Sequence, residues 1–277
     1  MEQIEKLEPR RTPRFAKKGG RAMTRTEQIR FLTDILLTEM PEYRAQAERF
    51  AAGEDPQRRL LRSLMNVRPP LPLKSEFLAV QDELLSAERE ERGVVAADSL
   101  FAAGSKLALW QGDITRLAAD AIVNAGNSAL LGCFHPCHAC IDNAIHSAAG
   151  LQLRGECAEL MKRQGHEEPV GQAKITRAYN LPCRYVIHTV GPIVSGDLTD
   201  LHREQLASCY RSCLELAAEK GLKTVAFCCL STGVFRFPNE EAARIAVAAV
   251  RKHAGGLKVI FNVFKDWDYE IYQRLLG

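Results

Sequence analysis

Apolar positions along this chain change their spacing at about residue 105, and the change divides it into two parts. Upstream, residues 26–92 carry apolar side chains at helical intervals. Leu32, Ile35 and Leu36 share a face, a second helix can begin after Pro41, and a third, Gln57 to Met65, sets Leu60, Leu61, Leu64 and Met65 on one side. Pro69, Pro70 and Pro72 interrupt the pattern. A fourth helix is expected from a Ser75 cap to about Arg92, with Phe77, Leu78, Leu84 and Leu85 inward and Glu88 to Arg92 as a solvated tail. Downstream, short apolar runs alternate with helical stretches. The runs are Lys106–Trp110, Ala121–Asn124, Lys174–Ala178, Tyr185–Val190, Thr224–Cys229 and Lys258–Phe264; the helices are Ile141–Arg163, His202–Lys220, Asn239–His253 and Trp267–Leu276. Strands separated by helices imply an α/β fold with a mixed, largely parallel central sheet flanked by helices, plus an N-terminal helical extension. Ligands of such sheets bind beyond the carboxyl ends of the strands, so chemistry is expected just after each run.

Charge and cysteine usage sharpen this picture. The net charge of +3 is uneven: the first 25 residues hold eight Lys/Arg and three Glu, which leaves 29 basic against 31 acidic residues beyond them. Residues 1–25 therefore read as a basic, disordered leader, residues 26–98 as the helical extension and residues 99–277 as the main domain. A nearly neutral body without a basic stripe argues against nucleic acid. No run approaches eighteen apolar residues and the N-terminus lacks a signal-peptide stretch, so neither a membrane partner nor export is expected and the cytoplasm is the expected location. Nine cysteines, an odd number, argue against a disulfide framework. Cys183, Cys209, Cys213, Cys228 and Cys229 sit in apolar runs, where cysteine behaves as a small hydrophobe.

Four segments beyond strand ends carry candidate chemistry. In Gln111–Thr115, Asp113 could accept hydrogen bonds from an exocyclic amine, or could simply cap its own turn. Asn124 and Asn127 flank Gly126, an arrangement suited to ribose hydroxyls or to an ordinary loop. Cys133, His138 and Cys140 supply three metal ligands within eight residues. Three protein ligands leave a catalytic opening, whereas recruitment of Cys137 or His135 would close a structural site. Asp142 follows, either as a first-turn acid or as a carboxylate that orients a water; His146, one turn on, reads as a packed, hydrogen-bonded histidine. Finally, Ser231-Thr232-Gly233 can aim backbone N–H groups at a phosphate, while Phe235 and Phe237 offer flat apolar faces; Arg236 reads as an exposed loop residue.

Taken together, these blocks resemble the macrodomain family of ADP-ribose-binding proteins. The blocks are Gly112-Asp113-Ile114-Thr115, Val123-Asn124-Ala125-Gly126-Asn127, Ala144-Ile145-His146, Ala149-Gly150, Gly171-Gln172-Ala173, Val186 to Pro192 and Ser231 to Phe235, all in family order. Cys133 to Cys140 stands where most macrodomains have a glycine-rich loop. With Leu60 to Pro70 upstream, that insertion resembles the zinc-dependent branch of microbial protein-ADP-ribose hydrolases, often encoded beside a sirtuin-type ADP-ribosyltransferase.

The resemblance implies roles by motif position. Asp113 would hold the adenine amine with Ile114 packed nearby, Asn127 would bind the distal ribose, and Asn124 would support the loop. Ser231, Thr232, Gly233, Val234 and Phe235 would cradle the diphosphate, and Phe237 would lie against the ligand. Cys133, His138 and Cys140 would hold one zinc ion per chain, and Asp142 would activate water, with Asn127 beside it in catalysis. Two departures stand out: Gly126 replaces the usual alanine, and Cys137 adds a thiol to the metal loop. The implied activity is hydrolytic removal of mono-ADP-ribose from modified proteins, from Asp or Glu esters, by a monomer. Deacetylation of O-acetyl-ADP-ribose and non-catalytic ADP-ribose reading are the alternatives.

Overall fold

The structure, a computed structural model, describes residues 17–18 and 21–277. Most of the expected basic leader lies outside the described residues; Lys17–Lys18 and Arg21–Ala22 pair as a short antiparallel ladder. The helical layer follows. Helix α1, Arg25–Glu39, starts in a capping box: Thr24 accepts from the Glu27 N–H and Glu27 accepts from the Thr24 N–H. After short turns at Pro41–Tyr43 and Arg44–Ala47 come α2, Glu54–Val67, and α3, Ser75–Arg92. The Ser75 cap is corrected here: Lys74 occupies the cap position without a side-chain bond, and Ser75 is the first helical residue. Ile29, Leu32, Leu36, Leu60, Leu61, Leu64, Phe77, Val80 and Leu84 close a core of their own, which Leu151 enters from the main domain. Arg68 is buried beside it, paired with Glu39 and donating to the carbonyls of Pro69, Leu71 and Pro72, which the proline-rich turn leaves without helical partners.

The main sheet has six strands: β1 Leu107–Gln111, β2 Ala121–Gly126, β3 Ala173–Arg177, β4 Tyr185–Val190, β5 Thr224–Phe227 and β6 Lys258–Val263. Their order is β1-β6-β5-β2-β4-β3, parallel throughout except for β3, which runs antiparallel to β4 at the edge. Ile122, Val123, Val186, Ile187, Val225, Ala226, Val259 and Ile260 are fully enclosed, as expected of strands covered on both faces. The helices are α4 Ile141–Ala149, α5 Leu151–Gln164, α6 Asp200–Glu219, α7 Asn239–His253 and α8 Asp266–Leu276. The six expected runs and the last three helices are all present, with ends that coincide or shift by one or two residues.

Two further expectations need correction. The single helix expected over Ile141–Arg163 is broken at Gly150, whose φ of 94° is a glycine conformation. A side chain there would collide with Gln81 and Gln152, and the Oε1 of Gln81 accepts the Leu151 N–H that opens α5. The tail of α3 is only in part the solvated face expected: Glu90, Glu91 and Arg92 are exposed, but Glu88 and Arg89 are half-buried. Burial pulls the Glu88 carboxyl up, but hydrogen bonds from Arg58 and Arg25 outweigh it and hold the group below its ordinary value. Arg89 donates to the Asn180 carbonyl, and Arg92 reaches Thr115 and Asp113. The tail therefore fastens the helical layer to the main domain.

Arg154, on α5 and 3% exposed, joins the two parts from inside. Its guanidinium donates to the carbonyls of Met65 and Arg68 at the end of α2 and to the Leu131 carbonyl ahead of the cysteine-rich loop, and Phe134 of that loop covers it 4.3 Å away. Burial lowers its pKa to about 10, with the nearby Asp142 carboxylate opposing, so it remains charged at neutral pH. Removing it takes a donor from three carbonyls, two of them buried. Arg154→Ala is expected to lower the unfolding free energy by about 3–5 kcal/mol in urea titrations, beyond the effect of a lost surface ion pair.

Candidate active site

A cleft of about 730 Å³ opens over the carboxyl ends of β1, β2, β5 and β6. Of the residues singled out in the sequence, Asp113, Ile114, Asn127, Cys133, His138, Cys140, Asp142 and Ser231 through Phe235 line it. Asn124 and Phe237 do not. Phe237 is 1% exposed and packed in the core, so the expectation that it lies against a ligand is corrected. Its N–H instead closes the Ser231–Phe237 turn on the Ser231 carbonyl.

At one end, Gly112 and Asp113 follow β1. The Asn262 amide donates to the Gly112 carbonyl (2.9 Å), and Asp113 Oδ1 accepts from the N–H (2.9 Å) and hydroxyl (2.7 Å) of Thr115. Arg92 approaches Oδ2 at 3.5 Å. Asp113 thus caps its own turn, as the second reading of it expects, while remaining on the cleft wall. On the neighbouring strand, Phe264 projects into solvent at 75% exposure and walls the same end with Asn262 and Lys265. The sequence reading missed Phe264 by counting it as the last residue of a strand; placement just after a run was the available signal. A flat base against this ring with its amine toward Asp113 is what such an end can hold.

The floor is the Ser231–Phe237 turn. Ser231 and Arg236 have φ of 62° and 58°, and a side chain at Gly191 would collide with Ser231 Oγ. The backbone N–H groups of Thr232, Gly233, Val234 and Phe235 donate to no carbonyl of the turn, and Val234 is 69% exposed. Unspent donors in a strained turn form a concavity for an anion.

At the far end, Asn127 folds its own loop: its Nδ2 donates to the Gly132 carbonyl (3.1 Å) and its Oδ1 accepts the Ala129 N–H. Beside it, the Sγ atoms of Cys133 and Cys140 and a ring nitrogen of His138 lie within 4.8 Å of one another. Cys133 Sγ and His138 Nδ1 are 3.6 Å apart. Burial pushes the Cys140 thiol up to about 11, and the neighbouring Cys133 adds to this, while the Asn143 N–H opposes. A thiol that resists ionising, beside a second thiol and an imidazole, forms a donor set that a soft divalent cation relieves. Cys137 and His135 are outside the group. The Cys137 thiol points to Ser63 Oγ (3.3 Å) and the Arg59 carbonyl on α2. The nine cysteines are all free.

Asp142 borders this trio from the first turn of α4. Asn124 donates to its Oδ1 (2.8 Å), so Asn124 steadies Asp142 rather than facing the cleft. Burial raises the Asp142 carboxyl to about 6, with the Asn124 hydrogen bond and Arg154 opposing. Below lies a buried polar network. Asn124 contacts His188 Nδ1 (3.2 Å), and His188 Nε2 contacts Thr176 (2.9 Å). His146 is packed as expected, but neither of its ring nitrogens has a hydrogen-bond partner, although Nε2 comes within 3.5 Å of Asp142.

Comparison with known proteins places these features in a lineage. The Macro domain family profile matches residues 123–246. A protein of Treponema medium named "Protein-ADP-ribose hydrolase" is 52% identical over 263 residues, 92% of this chain and the whole of that protein. Among solved structures, a Trypanosoma brucei macrodomain in complex with ADP-ribose superposes with a TM-score of 0.60 at 32% identity, covering 78% of this chain and 95% of that one. An Oceanobacillus iheyensis macrodomain with ADP gives 0.56 at 40% identity, covering 61% and 89%.

Burial holds the His188 imidazole down at about 4, and His146 well below its ordinary value, so both are neutral when folded and protonate near 6.5 when unfolded. Their contribution is complete above pH 6.5 and is lost as pH falls toward 4. Asp142, shifted upward, acts in the opposite sense, so the test compares variants. Between pH 7 and pH 5 the native chain is expected to lose roughly 2 kcal/mol more stability than His188→Gln, measured by urea unfolding at both pH values.

Proposed function

The chain belongs to the protein-ADP-ribose hydrolases of the macro domain family, and on that premise we propose that it removes single ADP-ribosyl groups from Asp or Glu side chains with a zinc ion held by Cys133, His138 and Cys140. The observation that carries the zinc reading is the convergence of those three ligand atoms within 4.8 Å at the end of the cleft that Asp142 borders. Three ligands suit a site that also admits substrate.

In this reading the adenine lies on Phe264 with its amine at Asp113 and its edge on Ile114. The diphosphate takes the unspent N–H donors of Thr232 to Phe235, and the distal ribose sits at Asn127. These contacts hold substrate and transition state alike, and they fix the reacting ester at the metal loop. Asn124 commits Oδ1 of Asp142, and Oδ2 accepts the proton of the attacking water. Water divides across the ester bond, releasing ADP-ribose and a free carboxylate on the protein. Zinc bound at the trio supplies Lewis acidity toward the negative charge that develops on a substrate oxygen. A sirtuin-type ADP-ribosyltransferase belongs to the proposal as the enzyme that installs the group; its support is the resemblance of the metal loop and the Leu60–Pro70 segment.

The decisive measurement is release of ADP-ribose from a mono-modified carboxylate substrate during chelator titration. Release is expected to stop when the metal is stripped and to return with zinc; undiminished release in excess chelator sinks the zinc reading. Cys140→Ala is expected to lose at least about 100-fold in turnover while ADP-ribose still binds in calorimetry. Phe264→Ala is expected to weaken ADP-ribose binding about tenfold, the scale of one base stacked on an aromatic ring.

A further inference from the structure

The cysteine-rich loop does not hold its own shape. The His138 N–H closes a turn on the His135 carbonyl (3.3 Å), with Pro136 second and Cys137 third at a φ of 51°. Glycine ordinarily takes that third place, because a β-carbon is strained there. Such a residue persists only where its surroundings over-determine it.

Around Cys137 those surroundings belong to α2. Its N–H donates to Asn66 Oδ1 (2.9 Å), and its thiol meets Ser63 Oγ (3.3 Å) and the Arg59 carbonyl (3.6 Å). Asn66 is 1% exposed, and its Nδ2 is committed to Ser147 Oγ (3.0 Å), so the acceptor is fixed before the loop arrives. One helical turn earlier, Arg62 donates to Asn143 Oδ1 (2.8 Å). Asn143 donates in turn from Nδ2 to the His135 carbonyl (2.9 Å) and from its N–H to Cys140 Sγ (3.4 Å). One helix face therefore holds the turn that carries His138 and, through one residue, the thiol of Cys140.

We propose that α2 of the helical layer sets the ligand geometry of the metal loop, with Asn66 as a positioning residue and Cys137 as a latch rather than a ligand. This deepens the zinc reading and rests on it. Without the Asn66 acceptor, the Cys137 backbone relaxes out of the left-handed region and carries the adjacent His138 away from Cys133 and Cys140. Glycine at position 137 needs no such hold, which gives the proposal a distinctive signature.

The test measures zinc affinity by competition with a chromophoric chelator, ADP-ribose affinity of the zinc-free protein by calorimetry, and the thermal midpoint, all on the full chain. Asn66→Ala is expected to weaken zinc at least tenfold, the usual scale for a residue that orients a metal ligand, with ADP-ribose affinity within about twofold. Ser63→Ala, half-buried and outside the cleft, is expected to weaken zinc by a few-fold, and it stands as the test if Asn66→Ala does not fold. Adding Cys137→Gly to Asn66→Ala is expected to restore most of the lost affinity. Unchanged zinc binding in both single variants, or a loss that Cys137→Gly does not repair, overturns the inference. A native chain that binds no zinc overturns the zinc reading itself, and the inference with it.

Discussion

A single enclosed cation holds this molecule together. The Arg154 guanidinium has no aqueous alternative, so its hydrogen bonds must all be made within the fold, and the acceptors come from three places. Two are carbonyls at the end of α2, which no helical N–H can reach; the third opens the cysteine-rich loop. A charge in such a place is tolerated because three of its N–H donors are aimed at carbonyl oxygens and a carboxylate, Asp142, stands within its field. The same group therefore couples the end of a helix, the start of a loop and the ionisation of the acid beside the cleft.

Around that centre, the site follows from the sheet. Parallel strands end on one side, and their loops must turn sharply before the covering helices. The turns here are tight enough that four residues other than glycine, Leu130, Cys137, Ser231 and Arg236, adopt left-handed backbone around the cleft. Strain of this kind is sustained by neighbours. Gly191 leaves room for Ser231, the Asn262 amide supports Gly112, and Asn124 joins β2 to Asp142. Each places one donor or acceptor where a ligand can meet it.

Much of this was legible in the chain. Strand positions were visible because buried parallel strands read as unbroken apolar runs, and the zinc candidates were visible because cysteine and histidine were crowded into eight residues. What stayed hidden depended on partners distant in sequence. The helix expected over Ile141–Arg163 ran through Gly150 because the partner of the next N–H, Gln81, lies far upstream. Glu88 and Arg92 looked solvated because their partners, Arg58 and Asp113, lie elsewhere in the chain. Phe237 looked like a ligand face because aromatic character does not say which way a side chain points. Arg154 gave no local signal at all, since an arginine within an amphipathic helix is ordinarily a surface residue.

The helical layer has its own apolar core, joined to the main domain through Leu151, the buried Arg154 and a rim of polar bonds. Two cores joined mainly by polar bonds can open in sequence, the smaller before the larger. A fluctuation that lifts α2 would release Cys137 and expose Arg154 while the sheet stayed intact, so the cysteine-rich loop would lose its shape without the main domain losing its fold. Amide exchange would then divide the chain into a fast-opening upstream block and a slow sheet, and a domain boundary drawn at residue 98 would cut through the chemistry rather than around it.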